Sequence, residues 1–192
     1  GVTTNPTLIM KSGRDPEDVY QQLIDLGIDD ISMEVVGDFD GMFLEGIRLF
    51  RKFGKNATIK VPCTPDGLRA CRELARDLVN VNVTLIFSPA QAILAAKAGA
   101  KYVSPFVGRV DDNSFDGIDL VDQISDIYSI QNIRKTEILA ASVRDVKTVS
   151  DSFGAGAHVV TMPPSIFEKM YNHVLTDRGL YQFDMDWAKV KR

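Results

Sequence analysis

The sequence predicts a parallel α/β fold, an open sheet or a (β/α)8 TIM barrel short of one βα unit, on three observations. Short apolar runs rich in β-branched residues alternate with amphipathic helical patterns from end to end. Their starts recur about every 20 to 35 residues, the length of one βα unit, so neighbouring strands are parallel. No GxGxxG or Walker loop follows any run, which counts against a doubly wound nucleotide-binding sheet.

The expected strands are Gly1–Thr4, Ile31–Val36, Ala57–Val61, Val81–Phe87, Tyr102–Pro105, Glu137–Ala141 and Ala157–Thr161, seven where a closed barrel has eight. Between them the helices are punctuated. Asp15-Pro16, Thr64-Pro65 and Ser88-Pro89 each set a capping side chain ahead of a proline at the first helical position. Gly27, Gly54 and Gly99 stand where helices should stop. Leu68, Cys71, Leu74, Ala75 and Leu78 form an apolar stripe at helical spacing, and Val146, Val149 and Phe153 begin another helical pattern. No linker interrupts the series. Residues 1–178 therefore read as one seven-stranded α/β unit, and 179–192 as a C-terminal tail whose Tyr181, Phe183 and Trp187 could dock on a neighbouring subunit.

Composition narrows the function. The 192 residues carry 22 Lys and Arg against 26 Asp and Glu, a net charge of −4 with no basic footprint for nucleic acid or an anionic membrane. No apolar run approaches the roughly 20 residues of a membrane span. Cys63 and Cys71 form no CxxC pair, and with only His158 and His173 besides, no zinc-ligand set is visible, so neither metal nor cofactor is expected. The thiols read as packing residues in a reducing compartment, the cytoplasm by default. His158, within a strand, reads as a satisfied core histidine. The chain opens on Gly1 rather than Met, which leaves room for an upstream segment.

Polar residues gather near the C-terminal strand ends, where a barrel builds its active site. With side chains alternating at period two, Thr3 and Asn5 share a face, as do Ser32 and Glu34, Thr58 and Lys60, and Asn82 and Thr84; Ser104 and Ser142 end their own strands. A lone strand lysine is often a snorkelling charge. Surrounded by these polar ends, Lys60 reads instead as an amine held dry enough to attack a ketone and form an imine, whose iminium serves as electron sink. Glu34 is placed to activate the water that makes and breaks that imine. Arg109, Ser142 and Arg144 follow strand ends, the last two at an expected helix N-terminus, and suit the oxygens of a phosphate.

Taken together, Gly1-Val2-Thr3-Thr4-Asn5-Pro6-Thr7-Leu8-Ile9, Ile59-Lys60-Val61-Pro62, Asn82-Val83-Thr84-Leu85-Ile86-Phe87-Ser88, Ser104-Pro105-Phe106-Val107-Gly108-Arg109 and Ala141-Ser142-Val143-Arg144 resemble the transaldolase family, in its short-chain branch that includes fructose-6-phosphate aldolases. The resemblance implies that Lys60 is the Schiff-base lysine and that Glu34 and Thr84 position the catalytic water. It implies that Asn5, Asn82, Ser104 and Phe106 line the substrate, and that Arg109, Ser142 and Arg144 hold its phosphate. Glu34 and Phe106 are the residues typical of transaldolases; the aldolases typically have glutamine and tyrosine there. The implied reaction moves a dihydroxyacetone unit from sedoheptulose 7-phosphate to glyceraldehyde 3-phosphate, in a homo-oligomeric ring or pair of rings.

One feature of the family has no counterpart. Its first strand carries an aspartate that acts as general acid/base, whereas this chain opens at what would be the second strand. The resemblance thus implies a (β/α)8 TIM barrel lacking its first βα unit, with residues 1–178 as strands two to eight of an N-terminally truncated piece. Two rivals stay open: an aldolase that releases free dihydroxyacetone, and a non-catalytic sugar-phosphate binder.

Overall fold

The computed structural model describes residues 1–190. Its strands are β1 (Val2–Thr3), β2 (Ile31–Glu34), β3 (Ala57–Pro62), β4 (Asn80–Ile86), β5 (Tyr102–Pro105), β6 (Glu137–Ala140) and β7 (Val159–Val160). They pair in parallel and in chain order. Connecting and following them are α1 (Pro6–Ser12), α2 (Pro16–Asp25), α3 (Phe39–Phe53), α4 (Pro65–Arg76), α5 (Pro89–Ala98), α6 (Val107–Asp112), α7 (Gly117–Ile130), α8 (Val146–Gly154), α9 (Pro164–Lys169) and α10 (Val174–Val190).

The helix starts follow their caps. Asp15 accepts from the N–H groups of Glu17 and Asp18, Thr64 from Gly67 and Ser88 from Gln91, each with proline opening the helix. Gly99, at φ 95°, closes α5 in the left-handed conformation that only glycine adopts cheaply. Leu78 departs from the expected stripe. Helix α4 ends at Arg76, and the Val79 N–H reaches back to the Leu74 carbonyl, a Schellman turn that puts Leu78 at φ 61° and 86% exposed. Cys71 and Leu74 of the expected stripe are buried together with Gly67 and Ala70, and Leu68 packs partly buried against the same core. His158 is also not a core residue: it is exposed, just before β7, where its Nδ1 accepts from the Ile138 N–H at 3.1 Å.

Strand alternation divides the molecule into two interiors. Met33, Ile59, Val61, Val81, Val83, Val103 and Ile138 face the helices and pack in one cluster with Met42, Leu49, Leu74 and Ile124. The other face carries Ser32, Thr58, Lys60, Asn82, Thr84 and Ser104, all buried. A polar strand face this dry needs internal partners.

That face is the inside of a barrel. Were the sheet flat, six strand spacings would hold β1 and β7 roughly 29 Å apart. The Thr3 and Thr161 hydroxyls, at the ends of those two strands, are instead 2.7 Å apart in a hydrogen bond. Even so, β1 pairs only with β2 and β7 only with β6 among the described residues. Seven strands of a (β/α)8 barrel are thus present, and a cavity of about 530 Å³ opens along the seam, lined by Val2, Thr3, Tyr102, Leu139, Val160 and Thr161.

Candidate active site

Register places the central residues. Glu34, Lys60 and Asn82 are partners across β2, β3 and β4, and Thr84 stands one inward layer higher opposite Pro62. Lys60 is 5% exposed; its Nζ donates to Glu34 Oε2 at 2.9 Å and to the Thr4 carbonyl at 3.1 Å. A buried ammonium is tolerated where an opposite charge and a carbonyl take its protons.

Beside this pair the polar face is locked by side-chain bonds. Ser104 Oγ donates to Asn82 Oδ1 at 2.7 Å, and Asn82 Nδ2 donates to Ser32 Oγ at 3.1 Å. Asn82 on β4 thereby ties Ser104 on the adjacent β5 to Ser32 on β2, two strands away across the barrel interior. Thr84 differs: its Oγ1 is buried with no hydrogen-bond partner among the described residues. Leu85, the next residue, sits at φ 58° where the β4–β5 register shifts, a bulge at the site's edge. An orphaned hydroxyl beside a strained residue marks a place built for a ligand atom or water.

Asn5 caps α1 by accepting from the Leu8 N–H at 2.9 Å, and shares with Glu34, Ile9, Tyr20 and Leu49 a cavity of about 350 Å³. Burial raises the Tyr20 phenol above its ordinary value, with the Glu34 carboxylate adding to the rise.

The expected phosphate ligands sit at the rim. Arg109 is exposed, with its guanidinium 4.9 Å from the centre of the Phe106 ring, which also packs edge-on against Phe87 at 5.8 Å. Phe106 is thus a platform for Arg109. Arg144 forms a forked ion pair with Asp112, a residue the sequence reading missed because consecutive aspartates at a helix end look like ordinary solvated charge. Ser142 and Arg144 do precede a helix N-terminus, as expected, but its first turn is not open. They lie ahead of α8, whose first turn is already capped by Asp145 accepting from the Thr148 N–H at 2.8 Å. The positive end of α8 therefore faces a carboxylate, and an anion here would depend on side chains.

At the opposite end of the strands, Asp30 accepts from Thr58 at 2.7 Å, Lys101 at 2.8 Å and Tyr102 at 3.0 Å. This cluster closes the barrel floor.

Comparison with known proteins adds the family. The model of the transaldolase/fructose-6-phosphate aldolase family matches residues 1–192. The chain belongs to the transaldolase/fructose-6-phosphate aldolase family. It is 51% identical over 192 residues to a probable transaldolase of Nitrosopumilus maritimus (strain SCM1), covering 100% of this chain and 86% of that one. It is 53% identical over 191 residues to a probable transaldolase of Paracoccus denitrificans (strain Pd 1222), covering 99% and 87%. The structure of L230A mutant flavocytochrome b2 with benzoylformate aligns at TM-score 0.59 and 15% identity, over 78% of this chain and 46% of that one, a likeness of fold alone. Among the described residues of this transaldolase-family chain, no helix is long and apolar enough to cross a membrane.

Proposed function

We propose that the chain performs transaldolase chemistry through an imine on Lys60, passing a dihydroxyacetone unit from sedoheptulose 7-phosphate to glyceraldehyde 3-phosphate. Fructose 6-phosphate and erythrose 4-phosphate are the products, as a cytoplasmic step of the pentose phosphate pathway. The observation that carries the reading is a buried Lys60 amine 2.9 Å from the Glu34 carboxylate, with the partnerless Thr84 hydroxyl one layer above.

From this arrangement the steps follow. Glu34, in direct contact, accepts a proton from the Lys60 ammonium, and the neutral amine adds to the ketone carbon. Loss of water leaves an iminium. As the C3–C4 bond breaks, its electron pair moves into the iminium to give an enamine, and the C4 hydroxyl gives its proton to a base as the aldose leaves. The enamine then attacks the acceptor aldehyde. Water, held between Glu34 and the Thr84 hydroxyl, adds to the new iminium and frees the amine. Asn82 and Ser104 keep the polar face beside Lys60 rigid, Asn5 and Phe106 bound the substrate, and Arg109, Ser142 and Arg144 hold its phosphate.

Glu34 and Phe106 support transfer over simple aldol cleavage, since a carboxylate serves as base where a carboxamide cannot and Phe106 offers no phenol to hold a proton or water. The test is borohydride reduction in the presence of fructose 6-phosphate. A dihydroxyacetone-derived mass is expected on the peptide bearing Lys60 and absent in Lys60→Met. No adduct on Lys60 would refute the imine reading and favour a non-catalytic binder. Release of free dihydroxyacetone as the main product, with an acceptor aldose present, would favour the aldolase.

Assembly belongs to the same proposal. No residue of α10 is buried, and Leu175, Leu180, Tyr181 and Phe183 are more than half exposed. An amphipathic helix in this state gains from a partner, and a neighbouring copy in a ring would supply one. The tail segment 179–192 begins inside this helix; residues 191 and 192 lie outside the described residues.

A further inference from the structure

We infer that Asp112 is the positioning residue of the phosphate site, holding the Arg144 guanidinium in the orientation that meets the anion. The inference rests on the reading of Arg144 as a phosphate ligand. Both terminal nitrogens of Arg144 donate to the two carboxylate oxygens of Asp112. The remaining nitrogen, Nε, lies at the other end of the same helical turn. A Cβ built on Gly108 would stand 3.0 Å from Arg144 Nε, 3.2 Å from Ser142 Oγ and only 2.2 Å from the Ser142 carbonyl.

Gly108 and Asp112 are four residues apart, so they share one face of α6. The segment bearing Ser142 and Arg144 is therefore strapped across that face, with Gly108 admitting the Ser142 backbone at one end and Asp112 gripping the guanidinium at the other. Ser142 itself is at φ 63°, a left-handed turn that brings its hydroxyl close to Gly108 beside Arg144 Nε. Arg109 stands on the same short helix, and its positive field adds to the Arg144 contact in keeping the Asp112 carboxyl below its ordinary range. One carboxylate thus feels the charge of both expected phosphate ligands and is in contact with Arg144.

An arginine side chain that is 54% exposed samples many rotamers when nothing grips it, and a ligand must then pay for ordering it. With the terminal nitrogens held by Asp112, Nε stays against Gly108, which the Ser142 hydroxyl also approaches, and two donors are ready on one side of α6. Repulsion between Asp112 and the incoming anion is weaker than this effect. The carboxylate is about half exposed and is screened both by solvent and by the guanidinium it holds.

The probe is inorganic phosphate, titrated calorimetrically into the full chain. Asp112→Ala is expected to weaken phosphate binding about threefold to fivefold, and Asp112→Glu to recover most of the loss. In an Arg144→Ala background, Asp112→Ala should change the dissociation constant less than about twofold, because the residue acts through Arg144. A structural role, loosening α6 and with it Arg109, would weaken binding in either background and would overturn the inference, as would equal or tighter binding by Asp112→Ala alone. Should Arg144→Ala bind phosphate as the parent does, the phosphate reading itself fails and the inference falls with it.

Discussion

The Lys60 amine and the Glu34 carboxylate face each other at 2.9 Å from register-paired positions on adjacent strands. Their side chains are 7% and 13% exposed, so each supplies most of the other's neutralisation. Glu34→Ala leaves the ammonium buried beside only the Thr4 carbonyl and is expected to destabilise the protein by about 3–5 kcal/mol. The double variant Lys60→Met/Glu34→Leu should recover most of that loss while abolishing turnover. Urea denaturation measures both; a double variant no more stable than Glu34→Ala would argue against the pair's mutual dependence.

Thr84 separates catalysis from stability. Its hydroxyl is buried without a partner, so Thr84→Val keeps the shape and removes an unsatisfied polar atom. Stability should hold or rise by up to about 1 kcal/mol. Turnover should fall about 10²-fold with the loss of the water-positioning group. Thermal melting together with steady-state rates tests this, and a variant with full activity would remove Thr84 from the mechanism.

Asp30 governs the acid limit. Burial alone would raise its carboxyl, yet the bonds from Lys101, Thr58 and Tyr102 take it below the ordinary range. A group depressed on folding stabilises above its unfolded value of roughly 3.9 and loses that contribution as pH falls through the folded value. Lys101 behaves oppositely: burial lowers it, Asp30 outweighs that and raises it, so its contribution is full below its unfolded value of roughly 10.4 and fades above the folded one. The cluster is therefore intact across neutral pH. Asp30→Asn is expected to cost about 2 kcal/mol at pH 7 and to show a shallower decline between pH 5 and pH 2 than the parent, read from melting temperatures.

Leu78 carries backbone strain with little packing to compensate, being at φ 61° and 86% exposed. Leu78→Gly should stabilise the protein by about 1 kcal/mol, since glycine adopts the left-handed region without the steric penalty. Chemical denaturation gives the sign directly; a destabilised variant would mean that Leu78 is covered in the assembled protein.

Removal of residues 179–192 tests the tail. A smaller mass by light scattering is expected, with the barrel's far-UV signal otherwise retained. An unchanged mass would exclude this segment as the element joining subunits.

The alternating strand and helix pattern, the caps at Asp15, Thr64 and Ser88, and the inward set Ser32, Glu34, Lys60, Asn82 and Thr84 were all legible in the sequence. Each depends on local rules: period two along a strand, period 3.6 along a helix, and a short polar side chain ahead of proline. Leu78 and His158 escaped those rules because a turn geometry and a sheet edge, not residue type, determine their exposure. What only the tertiary structure decided are contacts between distant segments. They include the Thr4 carbonyl at Lys60, the missing partner of Thr84, the Asp112 fork on Arg144, and the Thr3–Thr161 bond across the seam. Periodicity tells which face a side chain takes, since that is a property of one element's backbone. Which group waits on the other side depends on how elements 32 to 158 residues apart curl toward one another, and no local pattern encodes that distance.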